Sequence, residues 1–125
     1  SAVAVALFLS APVSATALPL CGQASWYALT SRTASGEMAD PSSLSAAHRS
    51  LPFGTMVQVR NLRNGKTVTV RVNDRGPFVK GRIIDVTRAA AAELGFLKRG
   101  ITRVEIKAID SASDTAIRTE TACGK

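Results

Sequence analysis

The sequence has very few of the residues that build metal centres and covalent catalytic sites. It contains one histidine and two cysteines, and the cysteines stand far apart, at positions 21 and 123. That scarcity excludes a zinc site made of cysteine and histidine ligands. There is also no Gly-x-Ser-x-Gly segment and no glycine-rich phosphate loop followed by Lys-Ser or Lys-Thr. The sequence therefore predicts neither an α/β-hydrolase nucleophile nor a nucleotide site, and it implies no metal and no cofactor.

Acidic residues are scarce as well, and the surplus of basic ones dominates the composition. In 125 residues the chain has 16 Lys and Arg against 9 Asp and Glu, a formal net charge of +7. Such a balance favours an anionic partner, and nucleic acid is the usual inference. The alternative is a solvated basic face without a specific partner. The 46% hydrophobic content excludes a disordered chain, and the length predicts one compact domain.

No apolar run is long enough to cross a bilayer. Residues 2–13 are almost wholly apolar and are followed by Ser-Ala-Thr-Ala. A short apolar run before an Ala-x-Ala pattern is typical of a secretory signal peptide. We therefore interpret residues 1–17 as a truncated export signal and residues 18–125 as the mature domain, with a buried alanine-rich helix as the alternative. An exported domain meets wall polymers rather than nucleic acid, and we expect no stable membrane insertion once the signal is removed.

Export changes the interpretation of the two cysteines. Cys21 follows the predicted cleavage site and Cys123 lies near the last residue, so a disulfide bond between them would close nearly the whole mature domain. Such bonds form in oxidising compartments outside the cytoplasm. The competing interpretation is lipid modification of Cys21. A lipobox needs a small residue before the cysteine, and Leu20 stands there, so the sequence favours the disulfide.

Strand patterns run through the middle of the chain. Residues 22–29 predict a first strand, and residues 57–60 and 68–72 alternate apolar with polar side chains, as half-buried strands do. Between the last two lies Asn64-Gly65, a strong hairpin signal because both residue types tolerate positive φ. The sequence therefore predicts a β-hairpin here.

The second half of the chain adds two strands and a helix. Residues 83–86 form a short apolar run that predicts a strand. Thr87 is a good cap for a helix over residues 89–94, which Gly95 would end. Residues 101–109 alternate again and predict the last long strand. Short strands with one alanine-rich helix indicate a small β-barrel rather than a doubly wound parallel sheet.

A long segment, residues 30–55, follows neither period. It is rich in Ser, Thr, Gly, Ala and Pro, and we predict an irregular excursion with one helical turn near residues 45–48. Loops of this length in a compact domain are usually functional. Two of the few acids, Glu37 and Asp40, and the single histidine, His48, lie in it.

A further acid, Asp74, directly follows the second hairpin strand. A carboxylic acid with a raised pKa can protonate a glycosidic oxygen while a second polar group orients or activates the attacking hydroxyl. Asp74, Glu37, Asp40 and His48 are the candidates for such work. On the residues alone the structural alternatives stay open: Glu37 and Asp40 as loop caps, Asp74 paired with a neighbouring arginine, and His48 as a satisfied loop or core side chain.

Five segments occur in an order that is typical of one family. They are GQASWY at 22–27, TASGE at 33–37, AAHRSLPFGT at 46–55, VRVNDRGPF at 70–78 and GRIIDV at 81–86. Together they resemble the rare lipoprotein A family, and the resemblance covers about residues 22–109. It implies a mainly β fold, a six-stranded double-psi β-barrel with one or two short helices, related to the barrel of expansins.

The resemblance also implies an activity. Active members of the family are lytic transglycosylases that cleave the bond between N-acetylmuramic acid and N-acetylglucosamine in peptidoglycan without water, on strands poor in stem peptides. By the resemblance, Asp74 is the candidate acid and base with Glu37 next, and Asp40 and His48 position the sugar and tune the carboxylates. The residues expected to contact the glycan are Trp26, Tyr27, Arg49 and Arg75. The expected protein is a bacterial monomer of the periplasm or cell envelope, or a secreted one.

Two other functions stay open. A non-catalytic, expansin-like module that binds peptidoglycan or loosens the wall is favoured by the basic charge and by a short loop before Arg32, where the family has a longer one. The third is a secreted effector or inhibitor that uses the barrel as a scaffold, since fold does not determine function.

Overall fold

The computed structural model of the chain describes residues 20–109 and Cys123. In that part six strands close a barrel, in the order β1-β5-β2-β4-β3-β6, and one helix packs against it. The elements are β1 (Leu20–Tyr27), β2 (Ser45–Ala47), β3 (Met56–Asn61), β4 (Thr67–Asp74), β5 (Arg82–Thr87), α1 (Arg88–Leu94) and β6 (Ile101–Ile109). The predicted six-stranded, mainly β double-psi barrel is confirmed.

The barrel mixes parallel and antiparallel pairs. Strand β1 runs parallel to β5, and β2 runs parallel to β4, whereas the remaining neighbours are antiparallel. Both parallel pairs join segments that are distant in sequence, because a parallel pair needs a long crossover connection. The barrel therefore brings the long loop before β2 beside the ends of β4 and β5.

Alternating apolar side chains from the strands fill the interior. The hairpin β3–β4 contributes valines from both strands, and α1 adds Leu94 and the following Phe96 over one side of the barrel. The largest fully buried apolar side chains are Phe96, Ile84, Leu94, Ile106, Val57, Val59, Val70, Val72, Val86 and Val104. Since each strand alternates inward and outward residues, its polar positions are left on the outer face.

The helical turn predicted near residues 45–48 is wrong. Residues Ser45–Ala47 form strand β2, where Ala46 lies opposite both Val72 and Val86 in the core. Strand pairing on both sides outweighs the helical tendency of two alanines. The first strand also differs slightly from the predicted 22–29, since it begins at Leu20 and ends at Tyr27.

The predicted hairpin is present, but its turn is longer than the two-residue turn that Asn-Gly favours. Gly65 has φ of +79°, while no described non-glycine residue has a positive φ. The side-chain amides of Asn61 and Asn64 both donate to the Leu94 carbonyl, at 2.8 and 3.0 Å. The turn is thus drawn toward the end of α1, where it satisfies a carbonyl that the helix leaves unpaired.

Helix α1 has the caps that the sequence predicts. Thr87 has extended φ and ψ, and its side chain accepts from the Ala90 amide. The same hydroxyl donates to the Ser43 carbonyl at 2.6 Å, which joins the helix to the loop before β2. Gly95 ends the helix in the left-handed conformation, as glycine does most easily.

The structure contains the predicted disulfide bond between Cys21 and Cys123, with Cα atoms 5.7 Å apart. Cys21 lies in β1 opposite Glu105 of β6, so the bond ties residue 123 to the sheet. The predicted export signal, residues 1–17, lies outside the described residues. Among the described helices, none has the length and hydropathy needed to cross a membrane.

Candidate functional site

Four residues form a row across four neighbouring strands on the outside of the barrel. Asp85 of β5 lies opposite Ser25 of β1 on one side and Ala47 of β2 on the other, and Ala47 in turn lies opposite Asp74 of β4. Residues directly opposite one another on paired strands project from the same face. We call Ser25, Asp85, Ala47 and Asp74 the carboxylate row.

A register shift in the β2–β4 pair brings Asp74 into this row. Ala46 pairs with Val72, but Ala47 pairs with Asp74, so one extra residue, Asn73, is accommodated in β4. Such irregularities redirect side chains near functional sites. Asp74 and Asp85 are thereby separated by a single strand that carries the small side chain of Ala47, which corresponds to about 10 Å between their Cα atoms.

Asp74 is fixed through one of its two carboxylate oxygens. Its Oδ1 accepts hydrogen bonds from the backbone amides of Ala34 and Arg75, both at 2.9 Å. No described residue donates a hydrogen bond to Oδ2. One oxygen therefore anchors the side chain to the loop before β2, and the other is available to a substrate.

Asp85, which the sequence analysis missed, is the second carboxylate of the row. Its Oδ1 accepts from the Ser25 hydroxyl, and Arg82 approaches both oxygens, with its Nη2 3.0 Å from Oδ2. Both oxygens of Asp85 thus have hydrogen-bond partners, whereas only Oδ1 of Asp74 has them. The alternation Ile84-Asp85-Val86 was the available signal, since it places Asp85 on the face opposite two core residues.

Tyr27 lies on the same face of β1 as Ser25, which is opposite Asp85. Burial raises the pKa of Tyr27 to about 12, and the negative charges of Asp74 and Asp85 add to the shift. The phenol therefore keeps its proton at neutral pH and can donate a hydrogen bond to a ligand. Of the two aromatic residues predicted to contact a glycan, this is the one that the structure brings to the carboxylate row.

Trp26 occupies the other face of β1. Its indole packs against the buried core, and its Nε1 donates to the Leu97 carbonyl at 3.2 Å. Successive residues of a strand point to opposite faces, so Trp26 lies away from Ser25 and Tyr27. The structure gives Trp26 a packing role, and the predicted contact with a sugar stays a prediction.

Glu37 lies above β4 on the same loop that anchors Asp74. Its Oε1 accepts from Arg71 Nη2 at 2.8 Å and from Asn73 Nδ2 at 3.1 Å. These hydrogen bonds, that from Arg71 first, lower the pKa of Glu37 below its ordinary 4.5. The exposed Glu37 is therefore a carboxylate at neutral pH, which suits it to stabilise positive charge and disfavours it as a proton donor.

Asp40 is engaged in its own turn. Its Oδ1 accepts from the backbone amide and the hydroxyl of Ser42, at 3.0 and 2.7 Å, and both bonds lower its pKa. Within the described part of the chain, no hydrogen bond joins Asp40 to Asp74, Glu37 or His48. These contacts are those of a residue that caps its own loop, which was the structural alternative for Asp40. A catalytic role for Asp40 stays a prediction.

His48 is 7% exposed and organises the loop after β2. Its Nδ1 accepts from the amides of Ser50 and Leu51, both at 3.1 Å, so the proton of the neutral ring is on Nε2. Burial lowers the pKa of His48, and the charges of Arg75 and Arg49 lower it further. The structure thus places a neutral imidazole beside β4, whose Asp74 carbonyl accepts from the His48 amide at 3.1 Å.

We expect the folded domain to lose stability as the pH falls below the ordinary histidine pKa of 6.5. Since the pKa of His48 is lower in the folded state, the unfolded chain takes up the proton first, and the free energy of unfolding decreases from there down to the folded-state pKa. The pKa values of Glu37 and Asp40 are also lowered in the folded domain, from ordinary values of 4.5 and 3.8. The effect of these two acids on stability therefore begins at a lower pH than that of His48.

Urea unfolding at about pH 7.5 and pH 5.5 measures this loss. The control is His48→Asn, whose amide oxygen can replace Nδ1 as the acceptor but does not titrate. We expect the loss to be smaller in the variant. An equal loss in both proteins would assign the acid sensitivity to other groups.

Arg49 and Arg75 hold together the two loops beside the row, in a reciprocal arrangement that we call the arginine brace. Arg49, after β2, donates to the carbonyls of Pro77 and Arg82, at 2.9 and 2.8 Å. Arg75, after β4, donates through Nη1 to the carbonyls of His48 and Leu51, at 3.1 and 2.8 Å. Each arginine thus binds the loop that carries the other. Their predicted contact with a glycan stays a prediction, and their observed partners are backbone carbonyls.

Among residues 20–109 and Cys123, no group of three or more His, Cys, Asp or Glu side chains is arranged to hold a metal ion. The arrangement instead offers one anchored carboxylate with an open oxygen, a second carboxylate held by arginine, and a protonated phenol on the same face.

Known proteins are similar to this chain in sequence and in fold. A family model described as lytic transglycolase matches residues 20–106. A probable endolytic peptidoglycan transglycosylase RlpA of Nostoc is 53% identical over 62% of this chain and 21% of its own. The endolytic peptidoglycan transglycosylase RlpA of Pseudomonas aeruginosa UCBPP-PA14 is 48% identical over 77% and 29%. The chain thus spans about a fifth to a third of the length of these two curated relatives.

Two solved structures share the barrel. The Streptomyces papain inhibitor superposes with a TM-score of 0.66 at 26% identity, over 77% of this chain and 98% of its own. An expansin of Clavibacter michiganensis gives 0.61 at 22% identity, over 74% and 51%, which shows the fold alone. Because the family match extends over most of the described residues, the chain belongs to the lytic transglycolase family of double-psi β-barrels.

Proposed function

We propose that this domain is a lytic transglycosylase of peptidoglycan. It cleaves the bond between N-acetylmuramic acid and N-acetylglucosamine in glycan strands, preferentially those poor in stem peptides, and leaves 1,6-anhydromuramyl ends. The observation that carries the proposal is the Asp74 carboxylate, which is anchored at a rigid strand end through Oδ1 while Oδ2 accepts no hydrogen bond from a described residue. The names of the relatives, which are about 50% identical, support the same activity.

In the proposed reaction Asp74 acts first as an acid and then as a base. The protonated carboxyl donates its proton to the glycosidic oxygen, and the bond between that oxygen and C1 of the muramyl residue breaks. The resulting carboxylate removes the proton from the 6-hydroxyl of the same sugar, whose oxygen then bonds to C1. The proton returns to Asp74, no water is consumed, and one group performs both transfers.

The other residues support this step electrostatically and by position. The Glu37 carboxylate, held by Arg71 and Asn73, stabilises the positive charge that develops at C1. In this proposal the Tyr27 phenol donates a hydrogen bond to the sugar at the carboxylate row, and the Asp85 carboxylate, held by Ser25 and Arg82, adds negative charge on the same face as Asp74. His48 maintains the loop after β2 rather than exchanging protons, since its lowered pKa keeps it neutral.

The proposal extends to the location and the oligomeric state of the domain. Peptidoglycan lies in the bacterial envelope, and we propose that the domain works there, in the periplasm or on the secreted side. We propose that it acts as a monomer, with the glycan strand as its partner.

Product analysis tests the activity. Purified sacculi and denuded glycan strands are digested with the domain, and the products are identified by mass spectrometry against a known transglycosylase. We expect new 1,6-anhydromuramyl ends. Reducing ends in their place would indicate hydrolysis. Sacculus binding without product would refute the proposal in favour of a non-catalytic wall-binding module, and salt-sensitive binding would then implicate the basic residues.

A further inference from the structure

Two phenylalanine side chains near the carboxylate row are exposed to solvent. Phe78 is 77% exposed and Phe53 42%, whereas Phe96 is 1% exposed. Burial of apolar area stabilises a fold by about 25 cal/mol per Å², and a ring that stays exposed does not contribute in this way. Packing of the barrel therefore gives no reason for a phenylalanine at position 78.

Both rings lie next to the residues that follow Asp74. The Phe78 ring packs over Gly76, because a Cβ atom added there would lie 3.6 and 3.7 Å from two of its ring carbons. The Phe53 ring lies under the guanidinium of Arg75, 4.0 Å from its centroid. The two residues after the proposed acid, Arg75 and Gly76, thus each contact one of the rings.

The arginine brace keeps these rings in place. Arg49 Nε donates to the carbonyl of Pro77, the residue before Phe78. Arg75 donates to the Leu51 carbonyl two residues before Phe53. A ring on a braced loop loses little conformational freedom when a ligand binds, so exposed aromatic groups held in this way are efficient binding elements.

We propose that Phe78, with Phe53 beside it, is a sugar-stacking platform that binds a pyranose ring of the glycan strand next to the bond held at Asp74. This rests on the proposed function and adds a binding subsite to it. A pyranose presents an apolar face of C–H groups and a polar rim of hydroxyl and acetamido groups. The apolar face of the sugar packs on the flat aromatic ring, and polar groups around that ring form hydrogen bonds with the hydroxyl and acetamido groups of the sugar.

The surroundings of the rings favour a glycan over a protein partner. The centre of a protein–protein interface is a contiguous apolar patch with few charges. Here a guanidinium lies on the Phe53 ring, and an exposed lysine, Lys80, follows two residues after Phe78. Single aromatic faces separated by polar groups match the repeating rings of a polysaccharide.

Binding is measured by calorimetry with denuded glycan strands, on the Asp74→Asn background so that no strand is cut. We expect Phe78→Ala to weaken the affinity about tenfold, the order of magnitude of a lost aromatic contact. Phe78→Trp should retain it, because the larger ring preserves the stacking face. Val79→Ala is the matched control, since it removes an exposed apolar side chain from the same loop, and it should leave the affinity unchanged.

The outcomes separate this inference from the proposed activity. If the wild-type domain forms no anhydro ends but Phe78→Ala still weakens glycan binding, the activity is refuted and the platform stands. If Phe78→Ala binds as tightly as its parent, the platform is refuted whether or not the domain cleaves. An equal loss in Val79→Ala would also refute it, because a general disturbance of the loop would then explain the effect.

Discussion

Replacing Asp74 by asparagine should abolish glycan cleavage while leaving the domain folded. Asparagine keeps an oxygen at the position of Oδ1, so the bonds from the Ala34 and Arg75 amides persist. It cannot donate and then recover a proton as a carboxylic acid does. We expect the rate of anhydro-end formation to fall by about 100- to 10,000-fold, the range attributed to general acid–base groups.

Two further variants make this result specific. Asp74→Ala removes the acceptor for both amides as well, so it should add a loss of about 1–2 kcal/mol in the free energy of unfolding. Glu93→Gln neutralises an exposed acid on α1, outside the carboxylate row, and should change neither activity nor stability. Wild-type cleavage by Asp74→Asn would refute the role of Asp74 as acid and base.

Reduction of the disulfide bond should cause the largest change in stability. Cys21 and Cys123 are 102 positions apart, and the chain-entropy treatment of a closed loop of this size gives about 4.7 kcal/mol. Guanidinium unfolding with and without dithiothreitol measures the difference. We expect the midpoint to move to markedly lower denaturant in the reduced protein.

A double variant, Cys21→Ser with Cys123→Ser, is the control for this experiment. It should match the reduced protein and show no response to dithiothreitol. Cleavage at low temperature should persist in it, because Cys21 lies in β1 opposite Glu105 of β6, outside the carboxylate row. A wild-type stability that reductant does not change would show that the bond contributes nothing to the fold.

Features that depend on neighbours in sequence could be predicted well. The period of two in residues 57–60 and 68–72 gave the hairpin, and Thr87 and Gly95 gave the bounds of α1. Strand β2 could not be predicted in this way, because three residues carry no period and their pairing partners lie in β4 and β5. The length of the Asn64-Gly65 turn depends likewise on a distant carbonyl, that of Leu94.

In the candidate site, too, features that depend on neighbouring residues could be predicted and features that depend on distant ones could not. Asp74 could be singled out because it ends a recognisable strand within a family motif. Asp85 was missed since its relation to Asp74 exists only through Ala47, on a strand that the sequence did not reveal. The arginine brace is equally non-local: Arg49 and Arg75 look like ligand-binding cations in the sequence, and their backbone acceptors become visible only once the two loops are adjacent.

The two parallel pairs have a consequence for how the domain acquires its site. Strand β1 meets β5 across some sixty residues of chain, as Ser25 and Asp85 show, and such distant contacts are formed late and slowly in folding. The residues of the carboxylate row come from β1, β5, β2 and β4, so we expect them to come together only when all four strands have paired. If the domain cleaves glycan strands as we propose, a partly folded molecule should therefore leave them intact until these four strands have paired.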